Sequence, residues 1–294
     1  MTTIFGIPVA VILGQLVLGL VNGSFYALLS LGVAIIFGLM GVVNFAHGAF
    51  YALGAFAALL SLQHLGLNYW AALAAVPLAV GLLGIALERL LLRRLYGLDA
   101  LYGLLLTFGV ALVIEGCLHQ YFGATGQSYP VPQALRGVLN LGFMILPIYR
   151  AWVILVSVTT CLLAWFLIER TRLGGTLRAA TQNAALLQAF GVNVPLLMSL
   201  MYGAGVALAA FAGVLSAPVI LVSPQMGSSL VIVVFAVVVI GGMGSILGAI
   251  LSGLSVGLIE GFTKVIYPEA SSIVVFLLMA LVLVVRPAGL LGRD

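Results

Sequence analysis

The run VAVILGQLVLGLVNGSFYALLSLGVAIIFGLM, residues 9–40, contains no aspartate, glutamate, lysine or arginine. As one helix it would be about 48 Å long, more than the roughly 30 Å hydrocarbon core of a bilayer requires. It is therefore either one tilted helix or two shorter pieces broken near Asn22-Gly23. The neutrality continues beyond it, because Glu88 is the first charged residue of the chain. Several successive membrane helices explain such a stretch; a soluble core does not. Of the 294 residues, 64% are hydrophobic and only 6% charged. A soluble domain carries about 25% charged residues, so this chain cannot cover a water-facing surface.

Further apolar runs lie near residues 45–63, 70–92, 101–121, 147–168, 196–217, 227–243, 245–262 and 272–288. They do not alternate polar and apolar as barrel strands would. The expectation is an all-α integral membrane protein, a polytopic bundle of nine or ten spanning helices forming one domain over residues 1–294. Met1-Thr2-Thr3 lacks the basic start of a cleavable signal peptide. Loop charges orient the chain. Arg89, Arg93, Arg94, Arg170, Arg172, Arg178, Arg286 and Arg293 fall on one side of these spans, and Arg136, Arg150 and Lys264 on the other. The richer side is expected in the cytoplasm. The net charge of +4 thus reports orientation rather than nucleic-acid binding.

Small residues recur four apart, as in Gly205, Ala209 and Gly213 and in Gly244, Gly248 and Ser252. That spacing lets helix backbones approach closely; lining a thin-walled pore is the other reading. Cys117 and Cys161 lie in apolar runs at depths differing by roughly 14 Å, so they are expected as buried, unbridged thiols.

Little catalytic chemistry is visible. His47, His64 and His119 are scattered, without metal-ligand spacing. No phosphate-binding loop exists: the one lysine, Lys264, follows Gly261-Phe262-Thr263. No serine occupies a nucleophile elbow, so the chain is read as a non-enzyme. Glu115 is the one ionisable residue expected well inside a span. It is read as hydrogen-bonding a neighbouring helix or the outer interface, because ion coupling would call for several midplane charges.

Two stretches interrupt the apolar pattern. In Gly41-Val42-Val43-Asn44-Phe45-Ala46-His47-Gly48, Asn44 and His47 are three apart on one expected helix face, either as a plain cap or in a functional role. In residues 169–194, Leu177, Ala180, Ala184, Leu187 and Gly191 recur every three or four positions, which predicts one short amphipathic helix. Gly191 is placed to end it in a left-handed cap, and Pro195 suits the first turn of the next helix. Such a helix either lies on the membrane surface or docks a soluble partner. Gly174, earlier in the loop, is expected to tolerate alanine.

These same stretches resemble the permease subunits of branched-chain amino acid ABC transporters. Residues 14–28 and 41–56 are similar to the start of those proteins, and so are Val239–Ala249 and Arg286–Gly292 to later parts, in the same order. The resemblance implies the first of two paired permease subunits in a high-affinity leucine, isoleucine and valine importer of the inner membrane. It also implies two cytoplasmic ATPases and an external solute-binding protein as partners. ATP would be used by those partners, and no cofactor held by this chain. The loop 169–194 would be the coupling loop, using Arg170, Arg172, Arg178, Ala185, Leu186, Leu187 and Gly191. Its counterpart is the family's E-A-A motif. Here Ala185, Leu186 and Leu187 stand where Glu-Ala-Ala is expected, with the glycine kept. Asn44, His47 and Gly48 match the family's signature at a cytoplasmic helix start. A secondary transporter or facilitator for a small neutral solute, working without an ATPase, is the alternative.

Overall fold

The computed structural model describes residues 3–4 and 6–292; Arg293 of the charge tally lies outside the described residues. The helices are α1 (Val9–Met40), α2 (Ala46–Leu65), α3 (Tyr69–Leu90), α4 (Ala100–Phe122), α5 (Ile148–Arg170), α6 (Arg172–Gln182), α7 (Ala184–Ala189), α8 (Val194–Ser216), α9 (Met226–Gly241), α10 (Ile246–Ile266) and α11 (Val274–Val285). Two short antiparallel hairpins accompany them: β1 (Thr3–Ile4) with β2 (Ile7–Pro8), and β3 (Val138–Asn140) with β4 (Ile145–Pro147), where Leu139 faces Leu146. Seven helices, α1 to α5, α8 and α10, are long and apolar enough to cross a membrane. Helices α9 and α11, with 16 and 12 residues, are apolar but shorter. By length and composition, then, seven of the expected spans qualify among the described residues.

Helix α1 is continuous through Asn22-Gly23. The small residues there serve a neighbour rather than a break. A Cβ on Gly257 of α10 would lie 2.3 Å from the Gly23 Cα, and one on Gly19 would lie 2.4 Å from the Gly257 carbonyl oxygen. The two backbones therefore touch, as small residues permit inside membranes. Helix α1 is the central post, packed against α5, α8, α9 and α10, with Leu28, Leu31 and Ile36 fully enclosed.

Helices α4 and α5 stand at the edge, turning Leu105, Leu112, Leu155 and Leu162 outward. Cys117 of α4 is consequently exposed, contrary to the buried position expected for both thiols, whereas Cys161 is buried; neither is bridged. Glu115, also on α4, is half-buried and has no hydrogen bond or ion pair among the described residues. Of the two readings for Glu115, the hydrogen bond to a neighbouring helix is not formed among the described residues, because few neighbours reach this peripheral helix.

The two ends of the bundle differ. At one, the Tyr96 hydroxyl lies 3.9 Å from the Met40 sulfur. The backbone amides of Leu290 and Leu291 donate to the carbonyls of Ile240 and Gly241, beside the α9–α10 turn. This end carries Arg89, Arg93, Arg94, Arg170, Arg172, Arg178 and Arg286. At the other end Gln127 pairs with Val222, and the Tyr149 hydroxyl donates to the Leu215 carbonyl at 2.9 Å. Trp152 Nε1 donates to the Tyr69 hydroxyl at 3.3 Å, and Trp70 and Trp152 meet edge to face at 5.3 Å. Aromatic side chains with one polar tip suit a membrane–water boundary. Arg136, Arg150 and Lys264 belong to this aromatic end, where Lys264 pairs with Glu260.

Candidate functional site

At the basic end α5 stops at Thr171, whose backbone is extended (φ −111°, ψ 168°), and the chain turns into α6. Helix α6 folds back on the last turn of α5 and buries Gly174, Leu177 and Ala180. Gly174 lies so close that a Cβ would be 1.5 Å from the Ile168 carbonyl oxygen. The expectation that Gly174 tolerates alanine is therefore overturned: it sits inside α6, against backbone. Outside this face, Arg178 pairs with Glu169 at 3.1 Å, and the Arg170 guanidinium lies over the Trp165 ring, 5.7 Å from its centroid. Arg172 opens α6 and is exposed.

The single amphipathic helix expected through residue 191 is two helices. Asn183 takes an extended conformation (φ −151°, ψ 88°), and its side chain accepts from the Leu186 amide, capping α7. A side-chain cap offers the backbone a local partner that a continuous helix would not use. Helix α7 carries Ala185, Leu186 and Leu187. Ala185 and Leu186 are exposed and Leu187 is half-buried, and Phe190, just past the helix, is 76% exposed. Gly191 has φ +84°, with nothing near its missing side chain. Asn193 then caps α8, and Pro195 occupies its first turn. An apolar edge thus projects from the basic end and joins α8 through three residues.

A cavity of about 870 Å³ opens beside α6, lined by Ala34 and Gly38 of α1, Trp165 and Ile168 of α5, Arg178 of α6 and the α9–α10 turn.

The second predicted group lies at the α1–α2 junction. Asn44 precedes α2 rather than sharing a face with His47; its Oδ1 accepts from the Ala46 amide at 3.1 Å. His47 is buried in α2, its ring against Gly32 of α1. A Cβ on Gly48 would be 2.4 Å from the Gly227 carbonyl oxygen, so α2 and α9 meet backbone to backbone there. Asn44 and His47 are both buried at this junction. Among the described residues, no hydrogen bond or ion pair links Asn44 or His47 to α6 or α7.

A family profile described as the permease component of a branched-chain amino acid transport system matches residues 15–283. The chain belongs to this permease family. The permease is 33% identical over 297 aligned residues to the high-affinity branched-chain amino acid transport system permease protein BraD of Pseudomonas aeruginosa, covering 96% of each chain. It is 27% identical to LivH of Escherichia coli, again over 96% of each. To LivM of the same organism it is 28% identical, over 90% of the permease and 67% of LivM. No solved structure matches it.

Sequence reasoning missed Glu88. This side chain is fully buried near the basic end of α3, accepting from Tyr96 Oη at 2.8 Å and from Ser199 Oγ at 2.5 Å. Arg89 Nε donates to the same serine at 3.4 Å. Burial, and then the bond to Glu88, hold the Tyr96 phenol above its ordinary range. The tract Glu88-Arg89 followed by Arg93-Arg94 resembles an ordinary solvated loop, and neither Tyr96 nor Ser199 announces a partner. The long-range pairing has no signature in the sequence.

Proposed function

We propose that this permease forms part of the translocation pathway of an ATP-driven importer for branched-chain amino acids or similar small solutes, in the inner membrane. The observation that carries the reading is the apolar edge of α7 at the basic end, joined through Gly191 to a helix packed on α1, α2 and α3. A soluble ATPase docked there would push directly on the bundle. The names of the relatives support the solute class. The seven-to-three split of described basic residues supports a cytoplasmic basic end.

Nine crossings fit the geometry. Helix α9 leaves from near Val222 at the aromatic end and finishes at Gly241, at the basic end. Helix α11 follows the far end of α10 and leads into the segment bonded to Ile240 and Gly241. Short spans of this kind are accommodated by local thinning of the bilayer. A second permease subunit, two cytoplasmic ATPases and an external solute-binding protein complete the assembly. Selectivity then rests largely with the binding protein, and ATP is used by the partners. The loop residues Arg170, Arg172, Arg178, Ala185, Leu186, Leu187 and Gly191 form the docking side. Asn44, His47 and Gly48 hold the α1–α2 junction.

The test is gentle detergent purification of the tagged chain followed by mass spectrometry. An ATPase pair and a second permease are expected in the purified material. Recovery of the chain alone, under conditions that keep other ABC importers assembled, would remove the docking reading.

A further inference from the structure

Glu88 is the one carboxylate or cation buried completely among the described residues, and none of the ion pairs there involves it. An ionisable group in such a position is expensive in a membrane protein and is by default tied to function. What holds it is two hydroxyls on different segments. Tyr96 follows the short turn after α3, and its hydroxyl also reaches Met40 at the end of α1. Ser199 lies in the second turn of α8, eight residues after Gly191. Deeper in the bundle, α3 and α8 leave no space between them. A Cβ on Gly81 would sit 3.0 Å from the Gly203 carbonyl oxygen, and one on Gly84 would sit 2.9 Å from Val206 Cβ. Helices packed this closely move together rather than slide. At the basic end, where those glycine contacts stop, the carboxylate of Glu88 takes over the connection.

We infer that Glu88 is a positioning residue of the transport cycle. It clamps the first turns of α8 to the end of α3 and to Tyr96, in the turn that follows it. Displacement arriving through the 169–194 loop is thereby delivered to α3 and α8 together instead of bending α8 alone. The inference rests on the ATPase-docking reading above. It adds what happens on the membrane side of the loop.

The experiment uses the whole assembly in vesicles and measures solute imported per ATP hydrolysed, alongside the amount of bound ATPase. Glu88→Ala is expected to lower the import-to-hydrolysis ratio about fivefold with unchanged ATPase binding, a coupling effect of the size seen for residues along such networks. Glu88→Gln should stay within about twofold of the native ratio, because an amide can accept from one hydroxyl and donate to the other. Combining Glu88→Ala with Ser199→Ala should be no worse than Glu88→Ala alone, since both break one clasp. A native ratio in Glu88→Ala would overturn the clasp and leave docking intact. So would a fall in transport explained wholly by lost ATPase, because that is a purely structural effect. If Glu88→Ala does not assemble, Tyr96→Phe decides: it removes one hydroxyl, and an unchanged ratio there refutes the inference. A native assembly that binds no ATPase would remove both readings, starting with the docking one.

Discussion

Two glycines of the loop 169–194 separate backbone conformation from packing. Gly191 has a positive φ and open space around it. Gly191→Val therefore costs only the left-handed conformation, about 1–2 kcal/mol, and should leave the bundle folded. It should nevertheless re-aim the edge carrying Leu186 and Phe190, so that uptake falls steeply and bound ATPase falls with it. Gly174 is the reverse case. Its missing side chain would overlap the Ile168 carbonyl, so even Gly174→Ala should separate α6 from α5, at about 2 kcal/mol or more. Thermal unfolding in detergent, read beside uptake, distinguishes them: Gly174→Ala lowers Tm, and Gly191→Val lowers uptake at nearly native Tm. An unchanged Tm in Gly174→Ala would contradict the packing of α6 on α5. The sequence made Gly191 legible because a helix stop has a local signature. Gly174 was misread because its constraint comes from a carbonyl six residues back, across a turn whose geometry no pattern of apolar residues encodes.

The helices themselves were largely legible. Apolar length is imposed by the bilayer, so the runs at 70–92, 101–121 and 147–168 coincide with α3, α4 and α5 to within two residues at each end. What the pattern could not reveal was which faces meet. Gly19 and Gly23 on α1, and Gly253, Gly257 and Gly261 on α10, form the closest helix contact of the central post. Their four-residue spacing was available to be read, but equally spaced small residues elsewhere drew the reading to α8 and the α9–α10 turn. The split between α6 and α7 was invisible for another reason: Asn183 continues the amphipathic spacing while capping the next helix. Two alanine substitutions test the central contact. Gly257→Ala would drive a Cβ to 2.3 Å from the Gly23 Cα, and is expected to cost about 2–3 kcal/mol and depress Tm by several degrees. Gly109→Ala on α4, where nothing lies within 4 Å, should hold or slightly raise Tm, since alanine is the better helix former. Equal Tm values for the two variants would mean that α1 and α10 are not in backbone contact.

At the scale of the molecule, composition determined the class before any motif did: a chain with 6% charged residues has a surface that suits lipid and helical neighbours. The basic residues it keeps are concentrated at one end, and the loop 169–194 and the contacts around Glu88 lie there too. The bundle above them is bound by glycine contacts that leave little room for independent sliding. This arrangement suits a part driven from outside. In the proposed reading, the exposed edge with Leu186 and Phe190 receives the force and the contacts around Glu88 distribute it. The most direct measurement is solute uptake by vesicles containing this chain with its second permease and ATPases, the binding protein outside and ATP enclosed within. Uptake is expected to require enclosed, hydrolysable ATP and to persist when proton and sodium gradients are collapsed. Uptake by this chain without any ATPase, driven by an ion gradient, would contradict the mechanism.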